Sequence, residues 1–225
     1  MPFPDVSTRH LRALLACLAL TLACAMALAW SPAARADESK MLKPADVPYS
    51  AGEADGPAMV ATELPAVGGI QLCDATLGTR NIGISGPKTF HQVLIQAGAG
   101  GVVGELAYEF TSAAAAKKAW SQAKKSVKQC SGTFAAKQTG LGKVTTKLTN
   151  GTAADANGIW VLHSDTFASA GTPGRKKDVR LAVFTQAGNA ILVTSYTKLN
   201  TGVVQPGQQD ALIGLAKTLS ERWTS

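Results

Sequence analysis

The chain has 225 residues, 22 Lys and Arg against 15 Asp and Glu for a formal charge of +7, and four cysteines. That length excludes more than one domain with a short arm, and a domain of this size needs no disulfide to make a core.

Arg9 and Arg12 precede a run, residues 13–30, that is apolar apart from Thr21. Pro32 follows, and Ala34-Arg35-Ala36 offers small residues at the two positions a signal peptidase reads, ahead of polar Asp37. Residues 1–36 therefore read as a signal peptide, and the mature chain is expected to be secreted, extracytoplasmic and associated with the cell envelope. Two alternatives stay open. The apolar run is about long enough to remain as a membrane anchor, and Cys24 sits near a lipidation motif, although its Leu22 is two residues ahead where three are preferred.

Cys17 and Cys24 lie in the leader, which leaves Cys73 and Cys130, 57 residues apart, in a compartment where thiols oxidise. One bridge is the simplest reading, and closing that loop constrains the unfolded chain by about 4 kcal/mol in the entropic picture. The alternative is two free buried thiols. Beyond the leader the charge is uneven: residues 37–74 hold two lysines against seven acids, so residues 75–225 carry +10. Such a balance suits either an acidic arm folded over a basic body or attraction to anionic polymers and lipid head groups, with ordinary solvated lysines as the plain alternative.

Residues 37–69 are punctuated by Pro44, Pro48, Pro57 and Pro65 and four glycines, and read as a loop-rich arm with at most a short helix. Regular structure is expected from Ile70, with Ile70-Gln71-Leu72-Cys73 either a short strand or a helix end. Residues 90–96 and 102–110 read as two strands about a Gly-rich turn, the second alternating Val102, Gly104, Leu106, Tyr108 and Phe110 with Val103, Glu105, Ala107 and Glu109. The larger apolar positions are expected inward and the charged ones outward. At Thr111-Ser112 the period changes to about 3.6, and a hydroxyl-capped helix follows with Ala113, Ala116, Trp120, Ala123 and Val127 as its buried stripe. Lys117, Lys118, Lys124, Lys125 and Lys128 lie off that stripe. Residues 143–149 and 157–167 read as strands joined by a loop containing Asn150-Gly151, and residues 178–186 and 189–198 as a hairpin about Ala187-Gly188. A closing helix over 208–223 aligns Leu212, Leu215, Ala216, Leu219 and Trp223. The expected architecture is α+β, a twisted, mainly antiparallel sheet of about six strands with two main helices packed on it.

Lys43-Pro44-Ala45-Asp46-Val47-Pro48, Cys73, the strand–cap–helix stretch 108–130, Trp160 and the hairpin 179–196 with its terminal helix resemble the extracellular sensor domain of PknH-type actinobacterial membrane kinases and its secreted or lipid-anchored relatives. The resemblance covers nearly all of residues 37–225. It implies a twisted antiparallel sheet with a small-ligand cleft and no catalytic activity. Two departures stand out: no kinase domain precedes residues 70–225, and the second cysteine pair of that kinase's sensor is missing.

Catalytic chemistry has little to work with. Outside the leader the histidines are His91 and His163, both in expected strands, where a shared site with Asp165 or Asp178 competes with ordinary hydrogen-bonded roles. Gly98-Ala99-Gly100-Gly101 lacks the glycine spacing and following helix of a dinucleotide loop. The lysine helix carries only Trp120, on its apolar side, and Arg175-Lys176-Lys177 reads as a solvated loop, so no nucleic-acid partner is expected. No enzyme, metal or cofactor is expected.

The reading is a non-catalytic, monomeric ligand-binding or sensor-like module whose partner is an unknown small molecule or envelope component. Tyr108, Trp160, His163, Arg180 and Tyr196 are candidate ligand contacts on the sheet's open face, each with an ordinary core or rim role as its alternative. The competing reading is a basic envelope-interaction protein that binds anionic polymers or lipids.

Overall fold

The computed structural model describes residues 39–47, 59–65, 70–73, 82–97, 101–138, 142–168, 175–199, 202–205 and 207–225. Residues 1–36, read as a signal peptide, and Cys24 among them lie outside the described residues. Among those residues, no helix is long and apolar enough to cross a membrane.

The strands are β1 (Met59–Pro65), β2 (Ile70–Cys73), β3 (Ile82–Ile84), β4 (Thr89–Ala97) and β5 (Gly101–Glu109), then α1 (Ala113–Ser126). After it come β6 (Gly132–Gln138), β7 (Gly142–Ala153), β8 (Gly158–Ala168), β9 (Arg175–Ala187), β10 (Ala190–Lys198) and α2 (Gln208–Thr224). Eight strands form one sheet in the order β1-β4-β5-β10-β9-β8-β7-β6, with β2 and β3 paired separately. Every neighbouring pair is antiparallel. The fold is α+β as expected, with more strands in the main sheet than the six anticipated.

Helices cover the sheet on both faces. On one, Val93, Val103, Leu181, Leu192 and Tyr196 pack against Leu212, Leu215, Ala216 and Leu219 of α2, with Met41, Leu42 and Val47 of an N-terminal strap filling the same layer. On the other, Phe184, Ile191 and Val193 pack against Ala116, Trp120, Ala123 and Val127 of α1 and its last turn. Central strands are buried on both sides for that reason: in β10 the residues from Ala190 to Thr194 are buried without a break. The α1 cap is as expected, Ser112 Oγ accepting from Ala115 N–H at 3.2 Å. Gly188, at φ 54°, makes the turn of the β9–β10 hairpin, a backbone region that glycine enters without Cβ strain.

Four local readings change. The expected loop-rich arm contributes β1, which pairs with β4. Asn150-Gly151 lies inside β7, with Gly151 opposite Trp160; the reversal comes later, at Ala154–Ala156 with Asn157 left-handed at φ 48°. A Cβ at Gly151 would lie 2.6 Å from the Trp160 indole, so this glycine serves packing, not a turn. Arg175 opens β9 instead of standing in a solvated loop. β5 also exchanges its expected half-buried state for burial on both faces: Val103, Glu105 and Ala107 are fully buried, and Leu106 and Tyr108 pack on the α1 layer.

Glu105 is the reason that exchange is tolerated. Its Oε2 accepts from Leu42 N–H at 2.6 Å and its Oε1 from Trp223 Nε1–H at 3.2 Å, so one carboxylate ties strap, sheet and α2 together. Beside it, Arg222 donates to both Asp46 oxygens at 2.7 and 2.5 Å and to the Met41 carbonyl at 3.4 Å. Burial pushes Glu105 up to about 7 from its ordinary 4.5, against hydrogen bonds from Leu42 and Trp223 that favour the charged form. Arg222, through its hydrogen bonds, holds Asp46 below its ordinary 3.8.

These shifts set the sign of the pH dependence. The folded state holds the Glu105 proton more tightly than the unfolded chain does, so this contribution is whole below 4.5 and is lost as pH rises through about 7. The swing is on the order of 3 kcal/mol. Asp46 acts oppositely, its contribution being present above 3.8 and lost toward acid. The melting temperature is therefore expected to fall as pH rises from about 5 to about 8, and Glu105→Gln to flatten that limb. Thermal unfolding followed by circular dichroism across this range checks it; a wild-type melting temperature that climbs toward pH 8 would contradict the assignment.

Candidate ligand-binding cleft

Alternation along strands decides which candidate residues can meet. Tyr108 packs against the layer under α1. His163 shares its strand face with Val161 of that layer, and Arg180 shares its face with Ala182 and Phe184. Trp160 and Tyr196 belong to the opposite layer, under α2. The sheet thus separates the five into three and two.

Trp160 and Tyr196 have a packing role there. The Trp160 indole lies over Gly151, and the Tyr196 ring lies where a Cβ on Gly101 would come within 2.7 Å of it. Each aromatic covers a bare stretch of neighbouring backbone, a recognised way of stabilising glycines in sheets.

Of the other three, His163 and Arg180 line a cleft of about 160 Å³ together with Asp165, Asp178, Val179, Thr197 and Leu199. Its floor is built by register. His163 lies directly opposite Arg180, and two residues along, Asp165 lies directly opposite Asp178. Thr197 of β10 flanks Arg180 on its other side. Two carboxylates directly opposite each other across one strand pair is an arrangement that cross-strand electrostatics alone disfavours, since like charges directly opposite are destabilising. Leu199, 57% exposed, adds an apolar wall.

Asp165 is the organised centre of this floor. Thr146 Oγ1 on β7 donates to its Oδ1, and His163 Nε2 approaches its Oδ2 at 3.0 Å. That His163 contact is the largest influence lowering the Asp165 carboxyl. Burial raises the Asp165 carboxyl, and the contacts of His163 and Thr146 outweigh it to hold it below its ordinary range. Tyr108 does not line the cleft, yet it feels Arg180: burial raises its phenol, and the guanidinium charge partly offsets that.

His91 sits elsewhere. It is buried on the α2 side with Nε2 3.2 Å from Glu109 Oε1 and its ring 6.4 Å from that of Trp223, so the two histidines do not share a site. No cluster of three or more metal-ligating side chains occurs among the described residues. Asp165 and Asp178 enter the site as the possible partners of His163 noted from sequence, whereas Thr146, Thr197 and Leu199 had no signal there. The usable signal was the pair of two-residue spacings, His163 to Asp165 and Asp178 to Arg180, which place four polar residues on one face of otherwise apolar strands.

Trp160→Ala is expected to lower the unfolding free energy by about 2 kcal/mol, because a half-buried indole is removed and Gly151 is uncovered. Arg180→Ala is expected to stay within about 1 kcal/mol of wild type. Urea unfolding of both variants separates the packing residue from the cleft residue.

No family model matches the chain, and no curated protein is similar to it. Three chains of solved structures match. One is the crystal structure of the extracellular domain of PknH from Mycobacterium tuberculosis, at 10% identity and a TM-score of 0.51 over 82% of this chain and 94% of that chain. The likeness is one of fold.

Proposed function

We propose that this chain is an exported, non-catalytic, sensor-like module of the cell envelope that takes a small polar ligand in the cleft of His163, Asp165, Asp178 and Arg180. The observation that carries the reading is the pair of directly opposed carboxylates, Asp165 and Asp178, gathered with His163 and Arg180 in one cleft. Residue types that oppose pairing stability are expected where function, not folding, sets the choice. The charged and apolar order of the N-terminal residues supports export, and the fold likeness to an extracellular domain is consistent with it.

The non-catalytic part of the proposal rests on geometry. Each histidine does meet a carboxylate, as a general base requires, but no hydroxyl or thiol hydrogen-bonds to either ring among the described residues. His91 is also only 3% exposed, too enclosed to meet a substrate.

A Cys73–Cys130 bridge belongs to the same proposal. In its support, Cys130 is fully buried at the end of the turn after α1. Cys73 ends β2, whose partner β3 packs on α1. Intact mass after alkylation without reduction is expected to show no labelled thiol in residues 37–225; two labelled thiols would remove the bridge.

A thermal-shift screen of the purified protein against small envelope-derived polar compounds tests the ligand reading. A ligand that binds only the native state at a hundred times its dissociation constant stabilises by about 2.7 kcal/mol. The shift is expected to vanish in His163→Ala and Arg180→Ala and to persist in Trp160→Ala. Persistence in the first two variants would place the site elsewhere.

A further inference from the structure

From Phe110 to Ala154 the chain contains eight lysines and no acid. Five of them, Lys117, Lys118, Lys124, Lys125 and Lys128, project from α1 and its last turn, and all five are exposed. The opposite stripe, Ala116, Ala119, Trp120, Ala123 and Val127, is buried against the sheet, so the lysines share the outer side. None of the five is in an ion pair among the described residues; the recorded contact is Lys124 Nζ over the Trp120 ring at 5.9 Å.

This pattern is unfavourable for the helix itself. Lys124 and Lys128 stand at i, i+4 and Lys125 and Lys128 at i, i+3, spacings at which like charges repel. The last-turn lysines gain from the helix dipole, but Lys117 and Lys118 lie in the N-terminal half, where positive charge gains nothing from it. A surface serving only solubility would intersperse both signs.

We infer that the outer face of α1 is a docking surface for a linear polyanion, a chain of repeating phosphate, sulfate or carboxylate groups. Lys117 and Lys128 are separated by about 16 Å along the axis, enough to follow several repeats of such a chain. Lysine supplies compact charges without the planar fork by which arginine reads a single group, which suits a repetitive partner. A lipid bilayer fits less well. Surface-lying helices insert apolar side chains, whereas the outward residues between these lysines are Ala114, Ser121 and Gln122, all exposed. The surface is distinct from the cleft and adds a second binding activity to the proposed module.

The experiment measures binding of fluorescently labelled polyphosphate to the purified protein by anisotropy at low and moderate salt. Three proteins are compared: wild type, a variant with Lys117, Lys118, Lys124, Lys125 and Lys128 all changed to Gln, and a charge-matched control with Lys88, Lys143, Lys147, Lys177 and Lys217 changed to Gln. Wild type and control are expected to bind with similar affinity that falls steeply with salt, and the α1 variant to lose about tenfold or more along with most of the salt slope. Glutamine is nearly as good a helix former as lysine, and circular dichroism confirms the fold; should the quintuple variant fail to fold, Lys124→Gln/Lys128→Gln replaces it with a smaller loss expected. Equal loss in the control reduces the effect to net charge and overturns the proposal. So does absence of polyphosphate binding at low salt, or binding confined to phosphatidylglycerol vesicles.

Discussion

Burial of the central sheet on both faces constrains everything else in this molecule. Antiparallel sheets often leave one face to water and read as alternating sequence, but β9 and β10 run between two helical layers and are apolar in succession. Polar side chains do occur within that core, Thr185 on β9 and Thr194 on β10 being buried, while His163, Asp165, Asp178 and Arg180 gather in the cleft. The cleft residues His163 and Arg180 lie near the middle of β8 and β9, where they stand directly opposite each other.

The α2 face solves the same problem differently. One carboxylate, Glu105, is buried completely in the layer, and it is accommodated because donors from two distant segments converge on it. A buried charge without such partners would cost several kcal/mol. Leu42 N–H and the Trp223 indole supply directional bonds where the surrounding Val103, Leu212 and Leu219 supply only contact area. The strap is thus fixed in register as well as position, and the Arg222–Asp46 pair holds its outer side.

Features set by short-range rules were legible in the sequence. The Ser112 cap, the Trp120 stripe, the Gly188 hairpin and the α2 stripe depend on neighbours within a few residues, and each was read with nearly its observed bounds. What failed depends on distant partners. Glu105 looks solvent-facing until donors 63 and 118 residues away are known. Asn150-Gly151 has turn chemistry, and only the indole of Trp160 across the strand pair explains the glycine. β6, with sequence GTFAAKQ, has one large apolar residue and so little periodicity to detect. The candidate site was half legible for the same reason. Residue type pointed to His163 and Arg180, but assigning Trp160 and Tyr196 to the other face required knowing which parity of each strand met which helix.

The two charged features of the molecule lie on one side, and the fold gives a reason. The N-terminal strap and α2 both occupy the other face, joined through Glu105 and the Arg222–Asp46 pair, so that face is committed to internal packing. On the α1 side the covering layer is one helix, whose inner stripe is largely alanine, with the small β2–β3 pair beside it. It buries little beyond Trp120 and Val127, and its outer positions are free of packing demands. Five lysines on that outer surface and the cleft residues His163, Asp165, Asp178 and Arg180 are thereby carried by elements whose other faces secure the core. Changes in those residues can then be made with small effect on folding, whereas the opposite side, where sheet, helix and strap meet at one carboxylate, has no such freedom.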